Sequence, residues 1–275
     1  MPLRDFIKTP LGTVTVALVL CLVCSAVVST AAVSLKGIQE RNAALDKKKN
    51  ILLAAKLVEP STSSADVATK YDEVIVEHLI DVDTGEVIDE EDAEDLPIDP
   101  EEYDPRKAAN DPKLQEKVED GALAGFTHRE PYAEVYEIKI DGKTDGYILP
   151  IYGKGLWSTL FGFIAVEADK ETVKGITYYS HAETPGLGGE VDNAGWKALW
   201  PGKKIYEQSG EVGLTVLKGK ASADDEYGVD GLSGATITSK GVDNMVKYWL
   251  GPKAFGNYLA DSAEAEEKEE KTSET

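Results

Sequence analysis

No charged residue occurs between Lys8 and Lys36. The stretch from Leu11 to Leu35, LGTVTVALVLCLVCSAVVSTAAVSL, exceeds the roughly 20 apolar residues that one helix needs to cross a bilayer. A cleaved signal peptide has a shorter apolar region, roughly 7–15 residues, so the segment reads as a retained single span. Cys21 and Cys24 follow Leu20 and Val23 rather than small residues, which argues against a lipoprotein cleavage site. At i, i+3 the two thiols share a helix face and read as small packing side chains.

Charge constrains the rest of the chain. The formal net charge is −21, and between Lys70 and Arg106 lie 16 acidic residues with no Lys or Arg. Such a chain is unsuited to nucleic acid, whose phosphates need clustered basic side chains. Both cysteines sit in the span, so the remainder has no disulfide, thiolate metal site or cysteine nucleophile. His78, His128 and His181 are far apart in sequence, and no metal site is expected. On orientation the residues leave two options. Lys36, Arg41 and Lys47 to Lys49 outnumber Arg4 and Lys8, which by charge count puts the C-terminal side in the cytoplasm. An acidic, cysteine-free domain suits the outside equally well.

Periodicity divides the chain into an N-terminus (1–10), the span (11–35), a helical connection or stalk (36–70), a hairpin with an acidic insertion (71–112), a folded domain (113–258) and a charged tail (259–275). The tail lacks aromatics and is expected to be disordered. Helical spacing continues to Val58 and is expected to stop at Glu59-Pro60. Residues 72–89 alternate around Thr84-Gly85 and predict a hairpin. Its DVDTGE stretch reads as a tight turn, since it lacks the ligand spacing of a calcium loop. Glu134–Ile140 and Gly146–Tyr152 predict a second hairpin around Asp141-Gly142. Phe161–Ala168 and Val173–Ser180 predict two further strands, and 193–199 and 242–250 predict helices. Strands with irregularly interspersed helices argue an α+β fold of antiparallel sheet with flanking helices. No GxGxxG, P-loop or GxSxG motif is present, and no catalytic residue is assigned.

Three segments hold candidate binding residues. Residues 230–251, DGLSGATITSKGVDNMVKYWLG, place Ser233, Thr236, Thr238 and Ser239 ahead of an amphipathic pattern, Val242, Met245, Val246, Trp249 and Leu250. Hydroxyls and free amides at a helix start can receive a phosphate, or Thr238 or Ser239 simply caps the helix. Residues 180–190, SHAETPGLGGE, form a glycine loop that either approaches a planar ligand or is a surface turn. His181 and Glu183 there invite an acid/base role, and Thr184 adds a hydroxyl. Residues 152–159, YGKGLWST, carry Trp157, which either stacks on a ring or belongs to the core.

These segments, in this order behind one span, resemble the C subunit of the bacterial sodium-translocating NADH:quinone oxidoreductases. The sister family is the G subunit of the Rnf electron-transport complex. The likeness runs through the DVDTGEV hairpin, YGKGLWST, SHAETPGLGGE, SGATITS and the closing WLG. It implies that Thr236, the last residue of SGAT, carries FMN through its phosphate. A separate flavin transferase would attach the group from FAD, with Ser233, Gly234, Ala235 and Thr238 around it and Asp230 opening the recognised motif. It further implies that His181, Glu183, Thr184, Leu187 and Gly188 lie along the flavin, with Trp157 beside them. The implied setting is a six-subunit inner-membrane complex, with the C-terminal domain in the periplasm. NADH is oxidised elsewhere in it, and electrons pass toward a second FMN, riboflavin and quinone, coupled to sodium export. The alternatives are an Rnf-type G subunit and an anchored adaptor that binds no flavin. The acidic insertion and tail exceed the family pattern and read as solvating surface.

Overall fold

The computed structural model describes residues 7–89, 96–100, 103–118 and 123–260. The core of the acidic insertion (90–95, 101–102) and the tail from 261 to 275 lie outside the described residues. Contacts divide the chain into two units, one ending at Asp46 and one beginning at Lys47.

Helix α1 (Pro10–Ala54) is continuous. It opens as its sequence allows: Thr9 Oγ1 accepts the Gly12 amide at 3.0 Å, and Pro10 takes a first-turn position where no N–H is missed. Through Leu35 its apolar side chains are almost all exposed, and it is long and apolar enough to cross a membrane. It therefore fits a single-pass anchor.

The helix does not run to Glu59-Pro60 as expected. Lys56 adopts φ 59°, Leu57 N–H reaches Leu52 O at 2.9 Å, and Lys56 N–H reaches Leu53 O at 3.1 Å. That double bond pattern around a left-handed residue is a Schellman stop. Nor is the region only a connection, because Ile51, Leu52, Ala54 and Ala55 are fully buried in the second unit. Lys47 pairs with Glu134, Lys48 Nζ with Asp72 at 2.7 Å, and Lys49 Nζ with Pro60 O at 2.7 Å. These lysines, counted in the sequence as a topological signal, are bound to the domain itself.

Helix α2 (Ser64–Val74) comes next, its N-cap Ser63 accepting the Asp66 amide. The hairpin expected from residue 72 thus begins three residues later. Val67, Tyr71 and Val74 are buried at helical spacing, so Tyr71 to Val74 finish a helix. Strands β1 (Ile75–Asp81) and β2 (Val87–Ile88) then form the hairpin. Asp81 Oδ1 accepts the amides of Asp83 and Thr84, both at 2.9 Å, which makes DVDTGE an Asx-type turn as expected.

A short helix α3 (Pro105–Ala108) and a minor pair, β3 (Glu116–Lys117) with β4 (His128–Arg129), lead into the main strands. These are β5 (Tyr132–Ile140), β6 (Lys143–Lys154), β7 (Thr159–Glu167) and β8 (Val173–Ser180). The sheet runs β2-β1-β5-β6-β7-β8, antiparallel throughout. Asp141 (φ 51°) and Gly142 (φ 78°) make the predicted two-residue turn. The fold is α+β, as the alternating strands implied.

Alternation sends the two sheet faces to two cores. Tyr136, Ile138, Ile148, Phe163 and Ala165 face Ile51, Leu52, Val67 and Tyr71. Val135, Leu149, Ile151, Leu160 and Ile164 face Val242, Met245, Val246 and Trp249 of α5 (Thr236–Trp249). Between β8 and α5 come a 3₁₀ turn (Gly188–Asp192), α4 (Ala194–Lys197), β9 (Thr215–Val216) and β10 (Gly228–Val229). The helix expected over 193–199 is therefore one turn. The tail begins later than expected too: Leu259 is 3% exposed and belongs to the core.

Candidate functional site

Helix α5 begins at Thr236, six residues before the expected start. Polar side chains in its first turn hid it from an apolar-periodicity reading, because their hydroxyls bond inward. Thr238 Oγ1 donates to Glu183 Oε2 at 2.8 Å. Ser239 Oγ donates to Ala235 O at 3.1 Å and accepts the Leu232 amide at 2.8 Å. Neither residue caps the helix. The cap position is Ala235, which offers no side-chain oxygen, so the cap gives nothing to the first-turn amides. Among the described residues, the amides of Thr236, Ile237 and Thr238 meet no protein acceptor. Thr236 is exposed beside them.

The approach to Thr236 is shaped by small residues. Gly234 has φ 73°, and a Cβ there would press on Leu187 Cδ2 at 3.1 Å. Ser233 is exposed, and Ala235 is buried. Inside the helix, a Cβ at Gly241 would meet Lys154 O at 2.2 Å, so α5 lies directly on the end of β6.

Residues 155–158 form the tip of the β6–β7 hairpin, closed by Gly155 N–H to Ser158 O at 2.8 Å. Trp157 stands at this tip, 68% exposed, which overturns the option that it is core. The tip is fastened to the glycine loop by one carboxylate. Glu183 Oε1 accepts Trp157 N–H (2.9 Å), Ser158 N–H (3.0 Å) and Ser158 Oγ (3.2 Å), while Oε2 accepts Leu156 N–H (3.3 Å) and Thr238 Oγ1 (2.8 Å). Burial alone would raise its pKa. The bonds from Thr238 and the amides of Trp157, Ser158 and Leu156 outweigh that and hold it below the usual carboxylate value.

Glu183 is therefore neither an acid/base group nor a side chain laid along an open face. His181 is also committed. Its Nδ1 accepts the Glu183 amide at 3.2 Å, which leaves the ring proton on Nε2 for Asp192 at 2.8 Å. The hydrogen bonds thus commit both side chains to the loop rather than to the acid/base role their residue types invite. Thr184 is exposed, and its carbonyl takes the Leu187 and Gly189 amides. Gly188 is buried, with space for no Cβ: one would lie 2.6 Å from both Glu183 Oε2 and Thr238 Oγ1.

The three segments thus meet through Glu183. On the outside they leave apolar side chains exposed, Leu156, Trp157, Leu187 and Ile237. Sequence reasoning missed Leu156 and Ile237 because exposure of an apolar residue has no local signal. Ser158 was missed also, although its place in a glycine-flanked tip pointed to a turn. The arrangement suits a flat, partly apolar ligand bearing a phosphate. The apolar side chains offer a bed for a ring, and unpaired amides at a helix start offer a place for an anion.

Residues 155–251 match the family model of the FMN-binding domain. The chain is 46% identical over 260 residues to the C subunit of the Na(+)-translocating NADH-quinone reductase of Pseudomonas aeruginosa, covering 92% of this chain and 96% of that one. It is 47% identical over 251 residues to the protein of the same name from Haemophilus ducreyi, covering 90% and 93%.

The chain belongs to the family of Na(+)-translocating NADH-quinone reductase C subunits.

Solved structures of the family share its fold. The crystal structure of Shewanella oneidensis NqrC superposes with a TM-score of 0.69 at 32% identity, covering 78% of this chain and 94% of that one. The C subunit from Parabacteroides distasonis gives 0.63 at 32% identity, covering 82% and 97%. The FMN-binding match begins at Gly155 and closes at Gly251. It therefore contains the hairpin tip, the Glu183 loop and all of α5, the three parts of the site. A flavin-free adaptor finds no support in it.

Proposed function

We propose that Thr236 carries FMN as a phosphoester and that the chain serves as an electron-relay subunit of a sodium-translocating NADH:quinone reductase. The observation that carries the reading is the placement of Thr236. Its exposed hydroxyl heads a 14-residue helix whose first amides lack acceptors, beside exposed Leu156, Trp157, Leu187 and Ile237. An ester phosphate on Oγ1 would be held by those amides, where helix dipole and N–H donors favour negative charge. When bound, FMN supplies the capacity to accept and pass on electrons. The protein's residues do the rest. Trp157 and Leu187 would shield a bound ring from water, while Gly234 leaves Thr236 open and Gly188 keeps the supporting loop close.

Attachment needs a donor and a second protein. FAD held by a flavin transferase supplies both: Thr236 Oγ1 forms the new O–P bond, the pyrophosphate P–O bond to AMP breaks, and the hydroxyl proton leaves with the AMP or a base of the transferase. Asp230, with its Oδ1 on the Ala221 amide at 2.8 Å, holds the segment that leads to Ser233. In the same proposal the domain faces the periplasm and the chain is one of six subunits. No charged residue lies within the span, so the span does not form an ion path unaided.

The test is co-expression of the full chain with an active transferase, denaturation, and gel fluorescence under ultraviolet light with intact mass. A flavin-bearing wild-type band and a dark Thr236→Ala band support the reading. A dark wild-type band, or a Thr236→Ala band that retains flavin, overturns it.

A further inference from the structure

Five donors converge on one carboxylate that touches no solvent-facing chemistry. Three are amides of the β6–β7 tip and one is the hydroxyl of Ser158 in that same tip. The fifth is the Thr238 hydroxyl, two residues beyond Thr236 on α5. Glu183 itself belongs to a third segment, whose Ala182 amide also donates to Ser158 Oγ at 2.9 Å. A buried anion needs that many donors to offset its desolvation. Core packing alone does not need it, since the same volume filled by an apolar side chain would cost less. The glycines show how tight the junction is: a Cβ at Gly155 would lie 2.6 Å from Glu183 Oε1, and one at Gly188 would lie 2.6 Å from Oε2.

We propose that Glu183 is the positioning residue of the flavin acceptor: its buried carboxylate clasps the hairpin tip to the first turn of α5, so that Thr236 and the exposed apolar side chains are set in register before any flavin is attached. This rests on Thr236 being the acceptor. The hydroxyl of Thr238 then serves Glu183 and leaves Thr236 as the outward-facing threonine of that turn. Thr236 and Thr238 differ by two positions, about 200° around a helix, which puts one hydroxyl outside when the other is inside. The clasp decides which.

Glu183→Gln replaces one acceptor oxygen by a donor while keeping volume and length. Thr238→Val removes the other half of the α5 contact and keeps its shape. Both variants are made in the full chain, singly and together, and expressed with active transferase beside wild type and Thr236→Ala. Covalent flavin is timed by intact mass, and folding is followed by circular dichroism in detergent. Folded Glu183→Gln is expected to take up flavin about tenfold more slowly, the scale of a lost charge-assisted hydrogen bond. The double variant should lose little beyond the greater of the two single losses, because both act through one contact. Should Glu183→Gln not fold, the milder Thr238→Val decides by the same readout.

Flavin uptake at the wild-type rate in a folded variant, or fully additive losses, would overturn the clasp. Failure of the underlying reading looks different: wild type would itself be dark, or Thr236→Ala fluorescent, and the clasp would fall with it. A structural residue alone would lower the melting temperature without slowing flavin uptake in the folded fraction, and that result counts against the proposal.

Discussion

A methyl group on Gly241 would lie 2.2 Å from the carbonyl oxygen of Lys154. Helix α5 and strand β6 therefore touch backbone to backbone, one turn beyond Thr236 and one residue before the hairpin tip. Thr236 and the tip owe their spacing to this contact as well as to the hydrogen bonds of Glu183. Gly241→Ala should force the helix away and cost about 1–3 kcal/mol, the range for inserting a methylene where there is no room. Ordinarily Ala is favoured over Gly in a helix by roughly 1 kcal/mol, so a destabilised variant in urea unfolding would mark the contact as the deciding term.

Gly188→Ala should be harsher on the site than on the fold. The added Cβ would lie 2.6 Å from Glu183 Oε2 and Thr238 Oγ1 together, so one of the two must leave the other. The expected outcome is sharply reduced covalent flavin by gel fluorescence. By contrast, Trp157→Ala at the exposed tip should change the stability of the flavin-free chain by no more than about 0.5 kcal/mol. Chemical denaturation of both variants checks the contrast.

Glu130 gives the pH prediction. It is 4% exposed, and Tyr152 Oη donates to its Oε2 at 2.7 Å. Burial pushes its carboxyl up to about 7, against the bond from Tyr152 and the nearby Arg129 charge, which pull it down. A carboxyl whose folded pKa is raised adds stability that is complete below its unfolded value, near 4.5, and lost as pH climbs through about 7. The loss amounts to about 3 kcal/mol at 1.36 kcal/mol per unit. Glu130→Gln should remove it, so the difference between wild type and variant in urea unfolding should change between pH 5 and pH 8. A difference that stays constant over that range would rule the titration out.

Where the soluble unit starts is testable by truncation. Ile51 and Leu52 are fully buried, and burying each large aliphatic is worth about 1.5–3 kcal/mol. A chain beginning at Lys47 should be soluble and fold cooperatively. One beginning at Leu57 loses that burial and the ties of Lys47, Lys48 and Lys49, a large part of a typical 5–15 kcal/mol stability, and should be largely unfolded by circular dichroism.

Much of the fold was legible from the chain alone. The four long strands and both tight turns, at Asp141-Gly142 and in DVDTGE, come from alternation and from residues that tolerate left-handed backbone or hydrogen-bond their own turn. The span comes from an uncharged apolar run. Helix α2 was not legible in full, since Tyr71 to Val74 carry alternating as well as helical spacing, and only packing against Ile51 and Leu52 chose between them. The first turn of α5 escaped because Thr236, Thr238 and Ser239 present no apolar stripe.

Local order, then, was written in the residues: an apolar run long enough for a bilayer, an antiparallel sheet, the three glycine-bearing segments, and through their motifs the family. The direction each side chain takes was settled by packing across the fold. Glu183 turns inward to five donors, Trp157 turns outward, the lysines after the span bind the domain, and Thr238 rather than Thr236 spends its hydroxyl on the interior. The cause is separation along the chain, since a side chain's partner can lie tens of residues away, 55 in the case of Thr238 and Glu183. A periodic pattern reports which face of an element is apolar. It does not report which polar group will find an anion on the other side of a strand.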